Sequence, residues 1–351
     1  MPYEQYEDKI RPTGRKSTKE PRYSPYCDFV YYESTRTPGV MLAARIVKPS
    51  RPSYIVAGTH GWHMSIPKFE NMMQPEPGND YLRVEVDMRG RIFSDGAADC
   101  NGWELYDVID AVEYARKAYA DYIVDPDIVY FEAGSGGGGN AMAIVGKFPD
   151  YFAACTALCG ISDYALWYEQ DVTGEFRDEL DVWIGGSPAD MPTAYRSRSG
   201  LELVGNLLTP MYLAHGETDI RVPSVHSRRY ANRAAEAGKS ALVRYDELPG
   251  VGTRDHWGHA TEAMMERVRR ESERNRLDHR TPVRIPGEGT FKVGGYLFTK
   301  HFSVVLDSLD KVADLRYDLA SGTFDVFCET ECVYTLSFGG ETQVRRATVV
   351  R

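Results

Sequence analysis

Three side chains able to pass a proton along a relay stand in separate loops of this chain: Ser135, Asp219 and His256. Ser135 lies in Val129-Tyr130-Phe131-Glu132-Ala133-Gly134-Ser135-Gly136-Gly137-Gly138-Gly139-Asn140, followed by Ala141 to Lys147. An apolar run, a serine, a run of glycines and a second apolar run predict a buried strand, a sharp turn and a helix. A serine on such a turn presents its hydroxyl at the tip of a sheet, and the helix N-terminus offers N–H groups to an anion. The usual spacing is G-x-S-x-G. Here Ala133 takes the first glycine's place and Gly137 the last, and alanine is small enough for the same packing. Taken alone, the stretch also reads as a glycine-rich phosphate cradle or a plain tight turn.

Serine is a weak nucleophile at its own pKa. It needs a histidine to accept its proton, and the histidine needs a carboxylate to fix its tautomer and balance its charge. The acidic loop Ala214-His215-Gly216-Glu217-Thr218-Asp219-Ile220-Arg221-Val222-Pro223 supplies Asp219 as the first choice, ahead of Glu217 and Asp255. The turn Pro249-Gly250-Val251-Gly252-Thr253-Arg254-Asp255-His256-Trp257-Gly258-His259 supplies the base. His256 is favoured because it precedes the next helix, and His259, read as the start of that helix, is the competitor. Charge building on a reacting carbonyl oxygen would need two N–H donors. The backbone N–H of Gly136 and that of Trp62, in the His60-Gly61-Trp62 loop, are the candidates.

These groups must be held at the carboxyl ends of strands. Phe29–Glu33 and Val40–Val47 read as a hairpin about Thr35-Arg36-Thr37-Pro38-Gly39, and Tyr54–Gly58 and Leu82–Met88 as strands. Leu105, Val108, Ile109 and Val112 recur at helical spacing, and Ser224 to Ala237 and Ala260 to about Ser272 are further helices. Strands alternating with helices imply a mostly parallel sheet covered on both faces. Residues 1–25 read as an extended arm, residues 26–275 as the catalytic domain, and residues 161–208 as a lid-like insert above Ser135, with Trp167 and Tyr168 as substrate-binding candidates. Glu271 to Pro282 reads as a charged bridge. Beyond it only strands and turns remain, so residues 283–351 are expected to form a small β module.

The composition narrows the partners. With 351 residues, 42% hydrophobic content, a net charge of −10 and no basic stripe, nucleic acid is not an expected partner. No apolar run suits a membrane span, and residues 1–20 lack a signal core, so a cytoplasmic protein is expected. A zinc site needs two close Cys/His pairs at ligand spacing, and Cys155 and Cys159 lie in or beside an apolar run, which favours buried thiols over ligands. Buried free thiols are expected, with Cys328 and Cys332 flanking a Glu-Thr-Glu turn. No metal or cofactor is implied. The expected partner is a small-molecule or short-polymer substrate, with homo-oligomerisation left open.

From Tyr54 to Val268 the chain resembles the catalytic domain of the prolyl oligopeptidase family of α/β-hydrolases. The resemblance rests on Asp87-Met88-Arg89-Gly90-Arg91, Trp103-Glu104-Leu105-Tyr106-Asp107, Ser135-Gly136-Gly137, Gly185-Gly186-Ser187-Pro188, Tyr195-Arg196-Ser197-Arg198-Ser199 and the His215–Pro223 stretch. It implies an α/β-hydrolase fold and a serine hydrolase acting on an ester or amide through a covalent acyl-enzyme. Family peptidases usually carry a large β-propeller before this domain, and the stretch before Tyr54 is too short to build one. Their nucleophile is often followed by Tyr, where this chain has Gly136. His60-Gly61-Trp62 and Arg89-Gly90-Arg91 also resemble acyl esterases of the same superfamily. A carboxylic-ester hydrolase, with acylated carbohydrate among its candidate substrates, is the first expectation. A small-peptide hydrolase is the second, and a non-catalytic binding or assembly protein the third.

Overall fold

In the computed structural model, which describes residues 19–67, 80–171 and 174–350, the strongest apolar runs become the middle of a nine-stranded sheet. Its strands are β1 (Arg22–Tyr23), β2 (Cys27–Glu33), β3 (Met41–Val47), β4 (Ile55–Thr59), β5 (Leu82–Asp87), β6 (Val129–Gly134), β7 (Ala154–Leu158), β8 (Met211–Gly216) and β9 (Val243–Leu248). They lie in the order β1-β2-β3-β5-β4-β6-β7-β8-β9. From β5 to β9 every neighbouring pair is parallel, whereas β1, β2, β3 and β5 pair antiparallel in turn. The sheet is therefore mixed. The reason is local: a short loop joins β2 to β3 as a hairpin, which only antiparallel strands permit, while the parallel strands from β6 to β9 are joined through helices. Residues 1–18 of the expected N-terminal arm lie outside the described residues.

Helices cover this sheet. The first, α1 (Glu104–Ala118), buries Leu105, Val108, Ile109 and Val112, the stripe that its spacing predicts. The second, α2 (Gly136–Lys147), leaves the tip of β6 and is buried along its whole length. The insert folds as α3 (Tyr164–Gln170), α4 (Arg177–Ile184), α5 (Pro192–Arg198) and α6 (Gly200–Leu203). Asp163 caps α3 by accepting the N–H of Leu166. Next come α7 (Val225–Glu236) and α8 (Glu262–Asp278).

Helix α8 runs on through most of the stretch expected to be a non-helical charged bridge. Its charges support the helix: Arg274 pairs with Asp278 and Arg276 with Glu273, at helical spacings. Arg276 also reaches across to Glu132 on β6. His259 does not open this helix. It sits in a turn at φ +69°, and the N-cap is Thr261, whose hydroxyl accepts the N–H of Met264.

A second sheet follows, with β10 (Glu288–Gly294), β11 (Tyr296–Phe298), β12 (Phe302–Leu306), β13 (Val312–Asp318), β14 (Thr323–Cys328), β15 (Val333–Phe338), β16 (Glu341–Arg346) and β17 (Thr348–Val349). The order is β16-β15-β12-β11-β10-β13-β14-β17, antiparallel except between β14 and β17. Strands β10 and β11 are separated by a tight turn at Gly294-Gly295, where Gly295 takes φ +71°. Phe291, Val293, Phe302, Leu315, Phe324 and Leu336 build this sheet's own core. All six cysteines are buried free thiols.

Tyr296 joins the two sheets. It is fully buried in the first core, stacks on Trp103 at 4.7 Å, and donates its hydroxyl to the Gly102 carbonyl at 2.7 Å. Tyr296→Ala should lower the unfolding free energy by about 3–5 kcal/mol, the usual loss for a buried large aromatic. Urea unfolding of the two proteins checks this, and a loss below about 1 kcal/mol would mean that the second sheet is not anchored here.

Candidate active site

Ser135 stands between the end of β6 and the start of α2 at φ 58° and ψ −122°, a conformation in which a residue with a β-carbon is strained. Two backbone bonds hold it: its N–H donates to Leu158 at 2.8 Å, and its carbonyl accepts Gly139 N–H at 3.1 Å. The turn lifts Oγ off the sheet edge. There His256 Nε2 lies 2.8 Å away, and His256 Nδ1 lies 2.6 Å from Asp219 Oδ2. Asp219 is acceptor-only when ionised, so His256 carries its proton on Nδ1 and its Nε2 accepts the serine hydroxyl. The sequence-predicted Ser135, His256 and Asp219 thus come together in one hydrogen-bonded chain. His259, three residues on, is exposed.

Asp219 is held from below. Its side chain is sealed from solvent, and Oδ1 accepts the N–H groups of Arg221 (2.9 Å) and Val222 (3.0 Å). Burial pushes its carboxyl up, but the hydrogen bonds of His215 and His256 and the His256 charge outweigh this and hold it well below the usual carboxylate range. His215, in the same acidic loop, has a structural part that the sequence motif does not reveal. Its Nε2 donates to the Val222 carbonyl at 2.7 Å and lies 3.5 Å from Asp219 Oδ2, while Nδ1 meets Ser227 Oγ at 2.8 Å. It braces the loop whose N–H groups hold the aspartate. Cys159, His215 and Asp219 also place ligand-type atoms within 4.8 Å of one another. His215 and Asp219 are already engaged in the bonds above, and burial pushes the Cys159 thiol well up, so this set does not fit a metal.

The two N–H donors expected beside the serine also converge. A β-carbon added to Gly136 would lie 2.6 Å from Trp62 N, so the Trp62 amide sits directly against the turn. The Gly61–Trp62 peptide is oriented by His60, whose role no sequence pattern marks. His60 Nδ1 donates to the Gly61 carbonyl at 2.9 Å, and His60 Nε2 accepts Met88 N–H at 3.1 Å. Burial, reinforced by the Arg91 charge, lowers this imidazole to about 3, so it stays neutral in the form that both bonds require. The Trp62 indole N–H donates to Glu179 of the lid, which ties the same loop from the other side.

Trp167 is 2% exposed and committed to packing. Its ring stacks on Phe176 at 4.3 Å and meets Trp62 edge-on at 4.9 Å, and its N–H donates to Arg221. Tyr168 is half-buried, with its hydroxyl on Asp181. Both belong to the aromatic layer of the lid, one ring removed from the Trp62 amide.

The prolyl oligopeptidase family model matches residues 71–273, more than half of the chain. The chain belongs to the prolyl oligopeptidase family. It is 29% identical over 158 residues to Esterase LipQ of Mycobacterium tuberculosis, a match covering 42% of this chain and 37% of that protein. It is 27% identical over 139 residues to the uncharacterized peptidase YtmA of Bacillus subtilis, covering 40% of this chain and 52% of the other. Among solved structures it is similar to the acylaminoacyl peptidase of Pyrococcus horikoshii, with a TM-score of 0.58 and 21% identity over 78% of this chain and 43% of that one. The matches thus span between about a third and a half of the relatives' own lengths. The fold of this prolyl oligopeptidase family member is that of an α/β-hydrolase. Among the described residues, no helix is long and apolar enough to cross a membrane.

Two outcomes follow. Gly136→Ala should drive a methyl group into the Trp62 amide and cut kcat by about 10²- to 10³-fold, the cost of one lost oxyanion donor. Steady-state turnover near wild type would show that this contact is irrelevant to reaction. The second concerns His60. An unfolded imidazole binds its proton near pH 6.5, and folded His60 only near about 3. The unfolded state binds more protons in that window, so stability is lost as pH falls through it. His60→Gln should remove about one proton, ~1.4 kcal/mol per pH unit, from the slope of unfolding free energy between about pH 4 and 6. An unchanged slope in urea titrations would contradict the buried neutral imidazole.

Proposed function

We propose that this family member is a carboxylic-ester hydrolase that works through an acyl-enzyme on Ser135. The observation that carries the reading is the unbroken chain Ser135 Oγ, His256 Nε2, His256 Nδ1, Asp219 Oδ2, with links of 2.8 and 2.6 Å. In the proposed reaction His256 takes the Ser135 proton as Oγ attacks the substrate carbonyl carbon. The oxygen of that carbonyl becomes an anion between the N–H groups of Gly136 and Trp62. His256 then gives its proton to the departing alkoxide, the C–O bond breaks, and the acyl group stays on Ser135. Water, deprotonated by the same imidazole, releases the acid and restores the serine. Asp219 stays ionised throughout and steadies the imidazolium.

The name of one curated relative supports the ester reading. The peptidase names of another relative and of a structural neighbour favour a second reading, hydrolysis of small peptides or acylated amino acids. The two readings share every step except the leaving group, an alkoxide in one and an amine in the other. Trp167 and Tyr168 would contribute to substrate binding through the lid layer, behind Trp62.

Turnover of p-nitrophenyl acyl esters and aminoacyl p-nitroanilides, measured in parallel, tests the choice. The ester reading expects kcat/KM for the esters to exceed that for the anilides by more than their intrinsic reactivity difference. Efficient anilide cleavage with slow ester cleavage would reverse the order. A fluorophosphonate should label the wild type but not Ser135→Ala, and that variant should lose about 10⁴-fold or more in turnover. Labelling of Ser135→Ala would remove Ser135 from the mechanism.

A further inference from the structure

The two sheets have four outer strands, and three of them are guarded in the usual ways. Strands β1 and β17 are two residues long, too short to template pairing. Strand β9 has its side chains tied to the flanking helices: Glu247 to Arg228, Asp246 to Arg267, and Arg244 to Glu271. Strand β16 (Glu341–Arg346) is unlike them. It is six residues long and pairs on one side only, with β15. An antiparallel strand paired on one side turns alternate N–H and C=O groups outward, and among the described residues nothing bonds to them.

Both faces of β16 are open as well. Gln343 and Arg345 stand opposite Leu336 and Tyr334, which are buried, yet Gln343 is exposed and Arg345 only half-buried. The core of the second sheet therefore stops at β15. On the other face Val344 is 72% exposed, more than any other large apolar side chain among the described residues. The side-chain hydrogen bonds of β16 stay inside its own hairpin. Gln343 Nε2 donates to Glu341 at 3.2 Å, Arg345 Nε and Nη2 donate to Gln343 Oε1 at 3.1 and 2.8 Å, and Thr342 meets Ser337 of β15 at 3.0 Å. One face of the strand thus carries a ladder of acid, amide and cation, with opposite charges at its two ends.

We propose that β16 is the pairing edge for a second copy of this chain, joined antiparallel about a two-fold axis at Gln343. Directly opposed residues of an antiparallel pair share a face, so a two-fold pairing that continues the sheet must centre on a residue. An axis at Gln343 sets Glu341 of each copy against Arg345 of the other, and Thr342 of each against Val344 of the other. The two Gln343 amides face each other. The ladders run in opposite directions, so each acid meets a cation. An axis at Val344 would set Arg345 against Gln343 and Arg346 against Thr342, and an axis at Thr342 would set Glu341 against Gln343. Neither brings opposite charges together, so charge complementarity selects both the partner and the register. The outward N–H and C=O groups bond along the same line, as in other strand additions. The exposed Val344 gains cover from Thr342 of the other copy.

Sedimentation of the full chain over a concentration series should show a monomer–dimer equilibrium. Glu341→Arg and Arg345→Glu, made singly, each turn both charge pairs into like-charge pairs and should raise the dimer Kd about tenfold or more. The double variant exchanges the charges and should bring the Kd back towards wild type, which a merely damaged hairpin could not do. Gln343→Cys reads the register. Directly opposed Cα atoms lie about 4.5–5.5 Å apart, inside the span of about 4.4–6.8 Å that disulfides bridge. The Val344 positions of the two copies would stand diagonally, about 7–8 Å apart. The native cysteines are buried. The oxidant diamide should therefore crosslink Gln343→Cys into dimers on a gel without reductant, and leave wild type and Val344→Cys as single chains. A wild type that stays monomeric at every concentration would overturn the pairing edge, as would single charge reversals that leave the Kd unchanged. Crosslinking through Val344→Cys but not Gln343→Cys would overturn the register and the charge pairing with it.

Discussion

Four successive residues after Ser135 have no room for a β-carbon, and the rest of the site depends on that constraint. A β-carbon would lie 2.6 Å from Trp62 N at Gly136, 2.8 Å from the Thr59 carbonyl at Gly137, 2.7 Å from the Leu158 carbonyl at Gly138, and 2.5 Å from the Tyr164 hydroxyl at Gly139. The four contacts point to four different neighbours: the loop after β4, the end of β4 itself, the end of β7, and the lid. Any side chain in this run would push one of them away. The glycines lower the intrinsic propensity of α2 by about 1 kcal/mol each relative to alanine. Tertiary packing overrides that, because the helix is buried along its length. The same closeness holds Ser135 in its strained conformation and brings the Trp62 amide against it.

Buried polar groups then fix the loops that the glycines bring close. Asp87, at the end of β5, accepts Ser65, the N–H of Ile66 at 3.1 Å and the N–H of Phe93 at 3.0 Å. One carboxylate therefore joins the loop after β4 to the loop after β5. Arg89 and Asp107 do the same between that second loop and α1, and burial raises Asp107 to about 6 despite the guanidinium. Such a pair adds little net stability, but loss of one partner would strand a buried charge. Thr59, Asn140, Asn101 and Glu104 extend the network beneath α2. The motif residues that do not reach Ser135 hold the loops that do.

That distinction explains what could be read from the residues and what could not. Ser135, Asp219 and His256 announce themselves, because strand–turn–helix patterning and the order of the three are local properties of the chain. Trp62 was legible as an amide beside the serine because its loop follows a strand. The roles of His60 and His215 are not legible in the sequence. Their partners are a backbone carbonyl one residue away and a loop several residues on, and no side-chain pattern marks such bonds. Aromatics in an insert, such as Trp167 and Tyr168, suit either ligand or core in the sequence alone, and the packing of Trp167 among Trp62, Phe176 and Trp183 is visible only in the fold. The arginine-rich stretch of α8 misled in the opposite direction. Its charge density suggested a linker, but the charges pair along the helix and with Glu132.

The second sheet bears on the far end of the same helix. Lys147 closes α2 and is fully buried, with its ammonium donating to the Gly294 carbonyl and lying 4.4 Å over the Tyr296 ring. Burial and the nearby Arg198 lower it to about 7. Asn206, also buried, donates to Gly146 at 2.8 Å and to Lys292 at 2.7 Å, and accepts the Lys292 N–H at 2.7 Å. One amide thus links the last turn of α2 to β10 through three of its four hydrogen-bonding positions. On the lid side, Arg198 pairs with Asp310 and Ser197 donates to Leu309. The helix that begins at Ser135 is therefore gripped at its start by the glycine contacts and at its end by the second sheet, which also holds the lid helix bearing Tyr195. Displacing that sheet would loosen the serine turn and the lid together, although none of its residues enters the proton relay.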